Sequence, residues 1–252
     1  MRIAVVADIH GNARALRAVM DDLKQVAPDT VVNLGDCVSG PLEAADTADL
    51  LISLAWQTVR GNHDRQLLDR PPEKMGLSDR AALGELKNHH KAWLANLEPT
   101  IEVEDLLLCH GAPDDDLVYL MEHVEPDGRV RLATAPEISH RLRGASAPVV
   151  LCGHTHVPRI VALQDGRVVV NPGSVGLPAY TDVEPVPHVM EVGAPHARYA
   201  LLDRRKTGEP WQITFRAVAY DWDGAAARAA AKGREDWARW LRTGYAAAAS
   251  AH

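Results

Sequence analysis

The sequence predicts an α/β fold: a four-layer α/β/β/α sandwich with two mixed β-sheets and helices outside. Two observations carry the prediction. Apolar β-like runs alternate with amphipathic helical stretches from the N-terminus onward. Five of those runs end in short polar clusters rich in His, Asp, Asn and Gly. Composition agrees, since 252 residues with 46% hydrophobic and 24% charged are ample for one large core. No repeat or linker divides the chain, so a single domain over 1–252 is expected, with 221–252 as a C-terminal helical tail.

Residues 2–7 form an apolar strand ending at Asp8. Asn12 then caps a helix over 13–26, with Leu16, Val19, Met20 and Leu23 on one stripe. Pro28 and Asp29 break it. A second strand, 30–34, ends at Gly35-Asp36. A helix over 42–54 leads to a weaker strand, 56–59, which ends at Arg60-Gly61-Asn62-His63-Asp64. Residues 78–97 predict a helical stretch behind a Ser78 cap. Strands return at 101–103 and 106–109, the latter ending at His110-Gly111. The stretch 112–135 has weak periodicity, and its acidic run Asp114–Asp116 reads as a solvated loop. A short helix, 136–143, precedes a strand at 148–152 that ends at Gly153-His154-Thr155-His156. Runs at 159–164 and 167–171 flank Asp165-Gly166, a hairpin signal. Residues 177–196, with Pro178, Pro185, Pro187 and Pro195, read as an irregular surface loop. Strands at 198–202 and 211–220 follow. The Ala-rich stretch 224–244 is helical and interrupted by Gly233, and Trp237 and Trp240 form the face by which it docks.

Composition also bounds function. A net charge of −7 argues against a non-specific grip on nucleic acid or an anionic membrane. A small anionic substrate stays open to a local cationic site. No apolar run approaches the roughly 18 residues that span a bilayer, and the N-terminal run is too short for a signal-peptide core. Cys37, Cys109 and Cys152 form no C-x-x-C, so buried free thiols in a reducing cytoplasm are expected.

The five polar clusters share one placement, each after a strand, where α/β sheets collect their ligands. Read as extended chain, Asp8 and His10 point to one side, as do His154 and His156. Imidazoles, carboxylates and an amide oxygen are the donor set of a divalent metal. Asp8, His10, Asp36, Asn62, His110, His154 and His156 are too many donors for one ion. A bridging Asp36 divides them into Asp8, His10, Asp36, His156 and Asp36, Asn62, His110, His154. Two divalent ions against two carboxylates leave a positive remainder that would draw a phosphate.

The ordered series D-x-H, G-D, G-N-H-D, H-G and G-H-T-H, running from Asp8 to His156, resembles the calcineurin-like metallophosphoesterase family. The D-I-H-G-N opening looks like its bacterial branch of small cytoplasmic phosphodiesterases. The resemblance implies two divalent metal ions, manganese first, with iron, zinc, cobalt or nickel as alternatives. It implies hydrolysis of small phosphodiesters or nucleotides by in-line attack of a metal-bridging hydroxide. His63 would assist the leaving oxygen, and Asp64 would hydrogen-bond that imidazole and keep it oriented and protonated. The implied partner is a small phosphate-ester substrate.

One departure concerns the substrate. Protein Ser/Thr phosphatases of the family carry G-D-x-V-D-R-G, whereas this chain has Gly35-Asp36-Cys37-Val38-Ser39-Gly40-Pro41, with Gly40 in place of the arginine. That favours a phosphodiesterase over a protein phosphatase. The alternatives are a non-catalytic scaffold of the same fold, which would be expected to lose motif residues, and a DNA nuclease, which the charge opposes. Arg65 and Arg159, beside motifs, are candidates for a phosphate contact. His89, His90, His123, His140, His188, His196 and His252 have no metal spacing and read as surface or packing residues.

Overall fold

A computed structural model describes residues 1–246. Strand β1 (Arg2–Val6), helix α1 (Ala13–Val26), β2 (Thr30–Asn33), α2 (Ala44–Leu54) and β3 (Gln57–Thr58) open the chain in the predicted alternation. Three short helices follow: α3 (Asn62–Asp69), α4 (Leu77–Leu83) and α5 (Asn88–Ala95). Strands β4 (Ile101–Val103) and β5 (Leu106–Leu108) pair antiparallel, as do β6 (Glu122–Val124) and β7 (Val130–Leu132). Next come α6 (Ala135–Arg141), β8 (Val149–Leu151), β9 (Arg159–Ala162) and β10 (Val168–Asn171). The hairpin β11 (Ala179–Asp182) and β12 (His188–Glu191) precedes β13 (Ala197–Asp203), β14 (Gln212–Val218), α7 (Trp222–Ala231) and α8 (Glu235–Thr243).

Two five-stranded sheets form the centre, in the orders β14-β13-β1-β2-β3 and β4-β5-β8-β10-β9. Both are mixed. In the first, β1, β2 and β3 are parallel and β13 pairs antiparallel with β1. In the second, β5, β8 and β10 are parallel and β4 and β9 are antiparallel edges.

Side-chain alternation along β1 sets the layers. Ile3 and Val5 meet Leu106, Leu108 and Leu151 of the other sheet. Ala4 and Val6 face outward against Leu16 and Val19 of α1 and Leu51 of α2. Beyond the second sheet, Leu107, Val150 and Val169 pack on Ile138 and Leu142. The result is helices, sheet, sheet, helix, as predicted. A one-residue slip of β1 would exchange both faces, and each fully buried aliphatic side chain contributes roughly 1.5–3 kcal/mol, so register is strongly specified. Because β1, β2 and β3 run parallel in one sheet and β5, β8 and β10 in the other, the carboxyl ends of these strands share one rim.

Four expectations are corrected. The helical stretch 78–97 is two helices, α4 and α5, with Gly84 at the end of the first; Gly76, not Ser78, caps α4. Helix α3 begins inside the third polar cluster, where only a strand end was read. Residues 112–135 contain β6 and β7, and 177–196 contain β11 and β12. These are short hairpins outside both main sheets, so only brief apolar alternation marks them. Asn12 does cap α1, with Oδ1 accepting from Ala15 N at 3.0 Å. Helices α7 and α8 bury Trp237 and Trp240 as expected, while His252 and the end of the 221–252 tail lie outside the described residues. Among the described residues no helix is long and apolar enough to cross a membrane.

Candidate metal centre

The seven predicted donors come from five strand ends. Asp8 and His10 follow β1, Asp36 follows β2, Asn62 opens α3 after β3, His110 follows β5, and His154 and His156 follow β8. The fold brings them together. Donor atoms of Asp8, His10 and His156 lie within 4.8 Å of one another, and so do those of Asp36, His110 and His154. Asn62 Oδ1 is 3.0 Å from His110 Nε2. Asp36 Oδ2 lies 3.3 Å from His110 Nε2 and 3.8 Å from His10 Nε2, between the two groups.

The backbone holds these side chains in unusual conformations. Asp8, His10, Asp36, His154 and His156 all have positive φ, between 51° and 69°. Such values are uncommon for residues with a Cβ, and clusters of them concentrate at functional sites. The extended geometry expected for D-x-H and H-T-H is therefore wrong. In the left-handed conformation the chain curls, and His154 and His156 go to different groups. Gly153 lets the curl close, since a Cβ there would sit 2.8 Å from Asp8 Oδ2.

The outer ring nitrogens decide what the inner ones can do. Nδ1 of His10, His110 and His156 faces the carbonyl oxygens of Ser39, Leu34 and Leu177 at 2.9, 2.7 and 2.7 Å. A carbonyl only accepts, so each Nδ1 carries the hydrogen and donates it. In the neutral ring each Nε2 then presents a lone pair inward. His10 Nε2 and His156 Nε2 are 3.1 Å apart, and Asp8 Oδ1 is 3.3 Å from the latter. A cation placed between two lone pairs and a carboxylate in a buried site relieves their mutual repulsion. The donor set fits a divalent metal.

Electrostatics separate the rings: the carboxylates hold a proton on His110, while His10 and His154 stay neutral. Burial opposes charge on Asp36, yet the imidazoles of His110 and His63 hold its carboxyl well below the usual range. Burial lowers His110, but Asp36 and Asp8 outweigh it and raise its imidazole to about 10. Burial and the neighbouring His156 push His10 down to about 4. Burial and His110 do the same to His154.

Asp64 does not hold His63, which corrects its expected role. At the third position of α3 its carboxylate turns back and accepts from the backbone N–H of Gly61, Asp36 and Cys37 at 3.0, 2.9 and 2.9 Å. It is a clamp between two ligand loops. Burial and the nearby Asp36 charge raise it to about 6. The carboxylate on His63 is Asp79 of α4, with Oδ1 2.7 Å from Nδ1. The same oxygen accepts from Ser39 Oγ at 2.6 Å. Burial lowers His63, but Asp36 and Asp79 raise it to about 9. Nothing in the local sequence marks Asp79, which reaches the site only through the packing of α4.

Other candidates are occupied elsewhere. Arg65 forms a two-point pair with Asp116, and Arg159 pairs with the buried Glu122 at 2.8 Å. Neither lines the cleft over the donors, and the acidic run is in part a partner for Arg65. The three cysteines are buried and free, as expected. His90 is buried and bonded to Asp49 of α2, a carboxylate that the sequence did not place there. A cleft of about 710 Å³ opens over the donors, and Tyr119, Tyr180 and Trp237 are among its walls. Tyr180 donates to Tyr119 Oη at 3.0 Å, which ties the two stretches the sequence left least defined.

A family model described as the calcineurin-like phosphoesterase superfamily domain matches residues 1–192. The chain is 25% identical over 199 residues to the uncharacterized protein MJ0912 of Methanocaldococcus jannaschii, covering 70% of this chain and 76% of that one. Among solved structures, a metallophosphoesterase from Sphaerobacter thermophilus aligns with TM-score 0.73 at 24% identity, covering 96% of this chain and 98% of the other. The hypothetical protein PH1004 from Pyrococcus horikoshii aligns with TM-score 0.76 at 18% identity, covering 98% and 99%. These two likenesses show the fold. With the motif order, the sandwich and the paired Asp/His clusters in place, the chain belongs to the calcineurin-like phosphoesterase superfamily.

Proposed function

We propose that the protein is a dinuclear-metal-dependent phosphoesterase that hydrolyses small phosphodiesters or nucleotides. The observation that carries this reading is the inward-facing Nε2 of His10 and His156 beside Asp8, each imposed by a carbonyl behind its ring. Asp8, His10, Asp36 and His156 would hold one ion, and Asp36, Asn62, His110 and His154 the other, with manganese first among the candidates. When bound, such a pair supplies Lewis acidity and a nucleophile from water at neutral pH.

The rest falls to this chain's own residues. His63 is half-buried at the rim of the cleft, where it hands a proton to the leaving oxygen. Asp79 fixes the ring and favours its protonated form, and Ser39 fixes Asp79. Asp64 keeps the Asp36 and Asn62 loops in register. Gly40 in place of an arginine supports a phosphodiester over a phosphoprotein substrate. The test is hydrolysis of bis(p-nitrophenyl) phosphate by purified protein with added manganese. Turnover is expected to vanish in excess chelator and return with the metal; turnover that persists undiminished would overturn the reading.

A further inference from the structure

One wall of the cleft comes from α8, outside the 1–192 span of the family match. Trp237 is 2% exposed, and its ring centroid lies 6.1 Å from that of His10. The ring fills the space over Gly40, where a Cβ would sit 2.7 Å from the indole and 2.6 Å from the His10 carbonyl oxygen. A side chain at position 40 would displace either the tail or the His10 loop.

Arg234, at the N-cap of α8, lines the same cleft as His63 and Asp79. Its Nε and Nη2 donate to Asp236 at 3.0 and 2.8 Å, and its Nη1 donates to Ser78 Oγ at 3.0 Å. Ser78 directly precedes Asp79. The guanidinium carbon lies 5.6 Å from the centre of the Trp237 ring. A guanidinium carries five N–H groups, and these bonds use three, which leaves two on a group pinned by a carboxylate, a hydroxyl and an indole. An immobilised planar fork with spare donors binds phosphate oxygens at little cost in side-chain entropy. Arg141, also half-buried in the cleft wall, is differently engaged: its Nη1 donates to the carbonyls of Tyr119, Leu120 and Glu122 and so holds that segment.

We propose that Arg234 binds the phosphate oxygens of the substrate, which makes the C-terminal tail part of the substrate-binding wall. The proposal rests on the phosphoesterase reading above. It is tested with manganese-loaded wild type, Arg234→Gln and Arg234→Met, the last keeping an apolar stem on Trp237 should the first fail to fold. Inorganic phosphate binding by titration calorimetry is measured beside KM and kcat on bis(p-nitrophenyl) phosphate, with metal content by elemental analysis. Loss of two charged hydrogen bonds is expected to weaken phosphate binding and raise KM by about 10- to 100-fold, with metal content unchanged and kcat altered less. Phosphate affinity within about twofold of wild type in a folded variant would overturn the assignment and leave Arg234 as a helix-cap ion pair. Wild type that binds phosphate but cleaves no ester would remove the phosphoesterase reading while the phosphate affinities still decide the role of Arg234. Wild type that binds no phosphate would overturn the proposal itself.

Discussion

Of the three clusters of one Asp and two His among the described residues, two are in opposite hydrogen-bonding states. In the cleft, Asp8, His10 and His156 have carbonyls behind both rings, so Nδ1 carries the hydrogen and Nε2 is bare. On the helices, Asp49, His89 and His90 lie equally close together. There, His90 Nδ1 accepts from the backbone N–H of Lys87 at 3.1 Å, at the start of α5. Its Nε2 must therefore carry the proton, and it donates to Asp49 at 2.8 Å. A metal at that nitrogen would have to displace the proton and leave an imidazolate. The difference teaches that residue type and proximity do not make a ligand; the group facing the far ring nitrogen does.

The comparison breaks first at His10. His10→Ala is expected to lower kcat/KM by about 1000-fold, the loss of several kcal/mol of charge stabilisation, and to reduce bound metal in elemental analysis. Full metal content with full activity would erase the contrast between the clusters. A smaller effect is expected at Asp79, which acts through His63 and is a positioning residue. Asp79→Asn should cost about 10-fold in kcat, within the usual scale of acid–base catalysis, with metal retained. Its sign in pH is fixed. The carboxylate favours the imidazolium that a leaving oxygen needs, so removing it lowers the His63 pKa from about 9. The alkaline limb of the kcat profile should move to lower pH; an unmoved limb would detach Asp79 from the proton transfer. The smallest effect on activity is expected at the helical cluster. His90→Ala should leave kcat/KM and metal content unchanged and cost about 1–3 kcal/mol of stability, read from thermal unfolding, because a buried hydrogen-bonded ring is lost.

The site was legible in the sequence where a donor stood at the end of a strand. Asp8, Asp36, His110 and the His154–His156 pair each follow an apolar run, and parallel strands place their ends on one rim. Asp79 was not legible, because it sits in a helix with no motif around it and reaches His63 through the packing of α4. Asp64 misled for a related reason. It adjoins His63 in sequence, but at the start of a helix a carboxylate three residues in turns back to the free N–H groups, and Asp64 does so. Arg65 was similarly drawn off by Asp116. The β6–β7 and β11–β12 hairpins and Tyr119 and Tyr180 were hidden in short, weakly periodic stretches.

Chain-local information marked the strands of the two main sheets and the polar clusters that follow five of them, because period and steric freedom act over a few neighbouring residues. Tertiary structure alone decided the ring tautomers, the partner of His63 and the tail wall with Arg234 and Trp237. Each of these depends on a group remote in sequence, such as the Ser39 carbonyl, Asp79 or the space over Gly40, that is present only once the sheets and helices have packed.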